Sequence, residues 1–151
     1  MAAPNIFSGA LPAEQEYMII LPVGNLANIS ANETLKVAIQ HAFKVLDIRW
    51  RTGETTPTSG GAGSITFTPQ ISGTNMNSGT ITVTLADHVT CGAGATLSSA
   101  ITGANTGAAN QSVWIKATTI GVAFTAGNGW FEIDVINTDP GANYPTTKSI
   151  G

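Results

Sequence analysis

The feature that most constrains this chain is a strict alternation of apolar and polar residues, repeated in short segments along its length. In residues 33–39, Leu35, Val37 and Ile39 face one way and Thr34, Lys36 and Ala38 the other. Residues 64–71 set Ile65 and Phe67 against Thr66 and Thr68, and residues 80–85 set Ile81, Val83 and Leu85 against Thr80, Thr82 and Thr84. Residues 112–120 oppose Val113, Ile115 and Ala117 to Trp114, Lys116 and Thr118. Residues 130–136 oppose Phe131, Ile133 and Val135 to Trp130, Glu132, Asp134 and Ile136. In an extended chain successive side chains point to opposite faces, so each segment is a half-buried strand. The longest is 43–52, where alternation predicts Leu46, Ile48 and Trp50 on one face and Phe43, Val45, Asp47, Arg49 and Arg51 on the other. Residues 17–21 read as a short apolar strand that Pro22 stops.

Turn chemistry separates the segments. Residues 53–63 and 103–110 are rich in small residues and read as loops, and 75–79 reads as a turn. Ala126-Gly127-Asn128-Gly129 is the strongest turn signal, and Gly121 marks a bulge after which 122–125 continues the strand. Residues 95–102 fit a weak strand or a short helical piece. No segment carries helical periodicity with good helix formers. The predicted fold is therefore all-β, a jelly-roll or Greek-key β-sandwich of about eight strands, because such folds bury one face of every strand. Pro4, Gly9 and Pro12 break regular structure near the start, so residues 1–16 read as an extended N-terminal arm. Residues 17–138 form the sandwich, and 139–151, with Pro145, an extended C-terminal tail. Ile6, Phe7 and Leu11 in the arm and Tyr144 in the tail are the candidate partner-interface residues.

Charge narrows the function classes. Charged residues make up 10% of the chain, and the net charge is −3 with no basic run. A nucleic-acid binder needs a cationic stripe to displace counterions from phosphate, so no nucleic-acid partner is expected. The longest apolar run, Met18 to Leu21, is far too short to span a bilayer, and no membrane partner is expected. The first residues, Met1-Ala2-Ala3-Pro4-Asn5, lack the basic and apolar regions of a signal peptide, so synthesis in the cytoplasm is expected. A surface of Thr, Ser, Asn, Gln, Gly and Ala has few charges to desolvate when a partner covers it.

The chemically capable residues form no recognised motif. His41 and His88 are far apart, and with Cys91 they give no metal-ligand spacing. Asp87, His88 and Cys91 could supply at most one edge of a metal site. Cys91 has no base beside it and reads as a small semi-buried residue. Gly60-Gly61-Ala62-Gly63 and Gly92-Ala93-Gly94 lack the lysine and the strand-to-helix setting of a phosphate loop. Glu132 and Asp134 share a strand face, and paired carboxylates do general acid–base work in glycosidases. Asp47, Arg49 and Arg51 are also spaced by two, so cross-strand charge pairing on an outer face or a subunit boundary is the simpler expectation. Trp50, Trp114 and Trp130 lie on strands beside core positions and are expected to pack, with an interface or a sugar platform as the second reading. Neither catalysis nor a cofactor is expected.

An arm rich in proline and apolar residues leads into Thr- and Gly-rich strands. Ser112-Val113-Trp114-Ile115-Lys116-Ala117 and Gly129-Trp130-Phe131-Glu132-Ile133-Asp134-Val135 follow near the end. In this texture the chain resembles the decoration, or cement, proteins of tailed-bacteriophage capsids and related small virion proteins. The resemblance covers most of the chain and rests on no invariant motif. It implies a β-sandwich or jelly roll, a homo-oligomer with a trimer favoured, and the major capsid protein of the same virion as partner. It also implies a place on the capsid surface, where subunits meet, and a role in stabilising the shell. A carbohydrate- or receptor-binding β-sandwich module of a phage tail or fibre is the alternative, and a small hydrolase using Glu132 and Asp134 is a further rival.

Overall fold

The computed structural model describes residues 15–53, 59–88 and 91–138. Among these residues ten strands follow one another: β1 (Glu16–Val23), β2 (Thr34–Ala38), β3 (Phe43–Thr52), β4 (Ser59–Ile71), β5 (Thr74–Asn75), β6 (Ile81–Thr84), β7 (Gly94–Thr96), β8 (Thr106–Gly107), β9 (Ser112–Phe124) and β10 (Gly129–Asn137). The first sheet runs β1-β10-β3-β7, with β8 also on β3; the second runs β2-β9-β4-β5, with β6 also on β4. Every pairing is antiparallel. The fold is an all-β, two-sheet sandwich, and among the described residues the only helices are two single 3-10 turns, Leu26–Asn28 and Leu85–His88.

The two apolar faces meet in one core. Ile48, Trp50, Phe131, Ile133 and Val135 come from the first sheet, and Ile65, Phe67, Ile81, Val83, Val113 and Ile115 from the second. Phe131 ties the layers together. Its ring lies edge-on to Trp50 at 5.1 Å and to Phe67, across the sandwich, at 5.0 Å. Fully burying each such side chain is worth roughly 1.5–3 kcal/mol. Two glycines let Trp50 fit. A Cβ at Gly94 would strike the Trp50 carbonyl, and one at Gly129 would strike the Arg51 carbonyl and the Trp50 ring.

The alternation places the core residues of 112–117 and 130–136 as the sequence predicts. The predicted bulge at Gly121 is present, since Ser64 pairs with Val122 while Ile65 pairs with Ile120. Several expectations are corrected. Phe43 and Val45 are buried together with Ile48 and Trp50, not opposite them. Asp134 pairs with Asp47 and Val135 with Val45, so Leu46 is the extra residue of a β-bulge that resets the alternation. Pro22 does not end β1. It sits on an edge strand, where a missing N–H costs no ladder bond. β4 begins at Ser59, inside the stretch read as a loop. Leu85 leaves the strand and opens a 3-10 turn. Residues 95–102 contain no helix; β7 is followed by a single bridge between Leu97 and Ile81.

Two turns differ from the sequence reading. The segment between β9 and β10, with Gly127 at φ +127°, carries the chain from the second sheet to the first. The tight hairpin is instead Ser72-Gly73, between β4 and β5, where both residues have positive φ. Positive φ at both central positions is the geometry that matches the twist of paired strands. The arm boundary also shifts. Glu16 lies in β1, and the Gln15 carbonyl accepts from the Asn137 N–H at 2.9 Å.

Candidate functional site

The outer face of the first sheet gathers Asp47, Arg49, Arg51, Trp130, Glu132 and Asp134 from the residues singled out for chemistry. Strand register aligns them in rows. One row is Met18, Asp134 and Asp47; the next is Ile20, Glu132, Arg49 and Thr96; the third is Pro22, Trp130, Arg51 and Gly94.

Arg49 is the centre of this face. Its Nε donates to Glu132 Oε1 at 2.7 Å. Its Nη1 and Nη2 take the two oxygens of Asp134 at 2.7 and 3.3 Å, the fork geometry that makes arginine–carboxylate pairs strong. Nη1 also reaches Asp47 at 3.3 Å, and Nη2 the Met18 sulfur at 3.6 Å. Arg51 donates to the same Glu132 oxygen at 3.0 Å, and Trp130 Nε1 donates to its other oxygen at 3.3 Å. The Arg49 and Glu132 side chains are only 20% and 15% exposed, so this pair is shielded more than an ordinary surface pair.

The protonation equilibria follow from these contacts. The hydrogen bond to Asp134 and the charge of both carboxylates hold the Arg49 pKa above the ordinary arginine value, against the opposing effect of burial. Burial pushes the Glu132 carboxyl up, but hydrogen bonds from Arg51, Trp130 and Arg49, with the Arg49 charge, outweigh it and hold the group below its usual value. A general acid of a glycosidase needs the opposite shift. This geometry serves charge pairing, as the spacing by two predicts.

The other candidates disperse. Trp50 is fully buried. Trp114 lies on the outer face of the second sheet with Lys36 Nζ 4.3 Å from its ring centroid, and Trp130 lies half-buried beside Glu132. His41 stacks edge-on with Tyr17, whose hydroxyl lies 2.7 Å from Nε2; Nδ1 lies 2.9 Å from the Ala42 carbonyl. The carbonyl can only accept, so Nδ1 carries a proton and the hydroxyl donates to Nε2 when the ring is neutral. Asp87 accepts from the Thr84 N–H and hydroxyl, a local cap of the 3-10 turn. Cys91 is exposed, not semi-buried, because it sits on a turn beside Gly53. Among the described residues, no three His, Cys, Asp or Glu side chains converge to hold a metal. Ile6, Phe7, Leu11 and Tyr144 lie outside the described residues.

No family model, curated protein or solved structure matches the chain.

Sequence reasoning missed two features of these faces and part of a third. Arg49 as the hub depends on the register that sets Glu132 opposite it. The Lys36–Trp114 contact depends on the β2–β9 register, which pairs those two residues directly. The apolar exposure of Met18 (48%) and Ile20 (47%) was legible in part, since both share one face of β1.

Proposed function

We propose that this chain is a virion structural protein that decorates and stabilises a bacteriophage capsid, bound at junctions between major capsid protein subunits. The observation that carries the proposal is the outer face of the first sheet, where the charges hold one another while Met18 and Ile20 stand exposed beside them. Charges that already have partners lose less than lone charges when another protein covers them, and exposed apolar side chains gain. The outer face of the second sheet supports the same reading. Its hydroxyls pair as Thr66–Thr82 at 3.1 Å and Thr68–Thr118 at 3.2 Å, leaving a threonine-rich surface that also carries Lys36 and Lys116.

We further read the sandwich as a jelly roll. With the two-residue strands β5 and β8 set aside, each strand changes sheet from the one before it except β6, which stays with β4, and the orders β1-β10-β3-β7 and β2-β9-β4-β6 fit two interleaved Greek keys. Capsid and lectin domains both use this architecture. A homotrimer on the capsid surface is the assembly this reading favours, with residues 1–14 and the tail from 139 as further contacts. A second reading, a carbohydrate- or receptor-binding module, draws on Trp130, a half-buried aromatic next to the polar groups of Glu132 and Arg51.

Co-sedimentation with empty shells of the major capsid protein tests the proposal. The full chain is expected to pellet with the shells, and a chain lacking residues 1–14 to stay folded and remain in solution. A truncated chain that decorates shells at full occupancy removes the arm from the reading. Binding to a glycan array that Trp130→Ala abolishes, without shell binding, moves the assignment to the carbohydrate module.

A further inference from the structure

β1 is the edge strand of the first sheet, and among the described residues no strand pairs with its far side. The Asn137 N–H donates to the Gln15 carbonyl, and these two residues continue the register in which Glu16 opposes Ile136. Directly opposed residues that share such a bond form a hydrogen-bonded pair, and such pairs alternate along an antiparallel ladder. Gln15, Tyr17, Ile19, Leu21 and Val23 therefore turn their backbone groups toward β10. Glu16, Met18, Ile20 and Pro22 turn theirs to the open edge. Pro22 fits this phase, because its missing N–H falls on the side that has no partner.

Natural edges are guarded by charged side chains, proline, an inward charge or a bulge. This one carries such guards only at its ends, Glu16 and Pro22, with Met18 and Ile20 exposed between them. An open backbone edge selects an extended strand as its occupant.

We propose that the open edge of β1 is a contact between two copies of this chain, paired antiparallel about a two-fold axis through Ile19. In this register Met18 opposes Ile20 of the second copy, and each exchanges both backbone hydrogen bonds with the other. Glu16 opposes Pro22 of the second copy; its N–H donates to the proline carbonyl, while its own carbonyl receives no donor from proline and is left to water. The two Glu16 carboxylates lie at opposite ends, so no like charges meet. Met18 and Ile20 of both copies form one apolar strip, and Arg49 holds Met18 in place from the adjoining face. The contact is two-fold and stands apart from the trimer favoured above. It does not rest on the capsid reading, since a chain that ignores shells can still pair through β1.

Sedimentation of the full chain over the micromolar range tests it. A dimer is expected for the wild type. Ile20→Pro removes an N–H that faces the edge and none that faces β10, and Ile20→Lys places charge in the strip. Both variants are expected to keep the far-ultraviolet circular dichroism of the wild type and to lose the dimer. A wild-type monomer throughout the range, or an oligomer of any order that both folded variants keep, overturns the proposal. Should either variant unfold, a cross-link decides. Met18→Cys and Ile20→Cys chains, each with Cys91→Ser, are expected to form a mixed disulfide dimer in preference to either self-dimer, and its absence overturns the proposal.

Discussion

The two outer faces of the sandwich share a backbone plan and differ in how they are finished. On the first sheet, both arginines that the strands carry meet three carboxylates in a connected network around Arg49. On the second, threonine hydroxyls pair across β4, β6 and β9, and one lysine lies over one tryptophan. The first face is cooperative, because removing its hub strands several charges at once. The second is modular, because each pair stands alone. A face of the first kind holds its shape when covered, and one of the second kind tolerates substitution.

The largest expected effect concerns what the faces have in common. Phe131 touches both Trp50 and Phe67. Phe131→Ala is expected to destabilise the whole sandwich by about 3–5 kcal/mol, the usual cost of emptying a large core site. Denaturant unfolding followed by tryptophan fluorescence and by circular dichroism should give one shifted, coincident transition. Separate transitions would mean that the sheets are not one cooperative unit.

Arg49→Ala separates the faces. It leaves Glu132, Asp134 and Asp47 close together with only Arg51 to balance them. We expect a loss of about 1–3 kcal/mol, between the values for exposed and buried pairs. Arg49→Lys should recover only part, since an ammonium cannot reproduce the fork to Asp134. A loss no larger than that of a single surface pair would refute the cooperative description.

pH offers a milder probe. The folded-state pKa of Glu132 is lowered, so its contribution is fully present above the ordinary carboxylate value of about 4.3 and disappears as pH falls through the lower folded value. The melting-temperature advantage of wild type over Glu132→Gln should be constant near neutrality and shrink below about pH 4. An advantage that grows on acidification would reverse the sign.

The second face should respond least. Lys36→Ala is expected to cost about 0.5–1 kcal/mol through the lost contact with Trp114. Thr66→Val should stay within about 0.5 kcal/mol. A large effect of either in thermal melts would erase the distinction between the faces.

Much of this plan was legible because strand period and burial coincide. Val113, Ile115 and Ala117, and Phe131, Ile133 and Val135, needed only the alternation. The phase of β3 was not legible. Leu46 looks like a core residue in a clean alternation, and only the pairing with β10 makes it the extra residue of a bulge. The hairpin at Ser72-Gly73 carried a signal, a Ser-Gly dipeptide after an apolar strand, that the sequence reading passed over. The charge network was half legible. Spacing by two put Glu132 with Asp134 and Arg49 with Arg51, but register decides which carboxylate meets which guanidinium.

Saturation binding to empty shells of the major capsid protein, read as copies bound per capsomer junction, tests the central claim most directly. The account predicts binding that saturates at a fixed number of copies per junction and raises the temperature at which the shells come apart. Shells that bind none of the folded full chain, or bind it without saturation and without any gain in heat resistance, would contradict it.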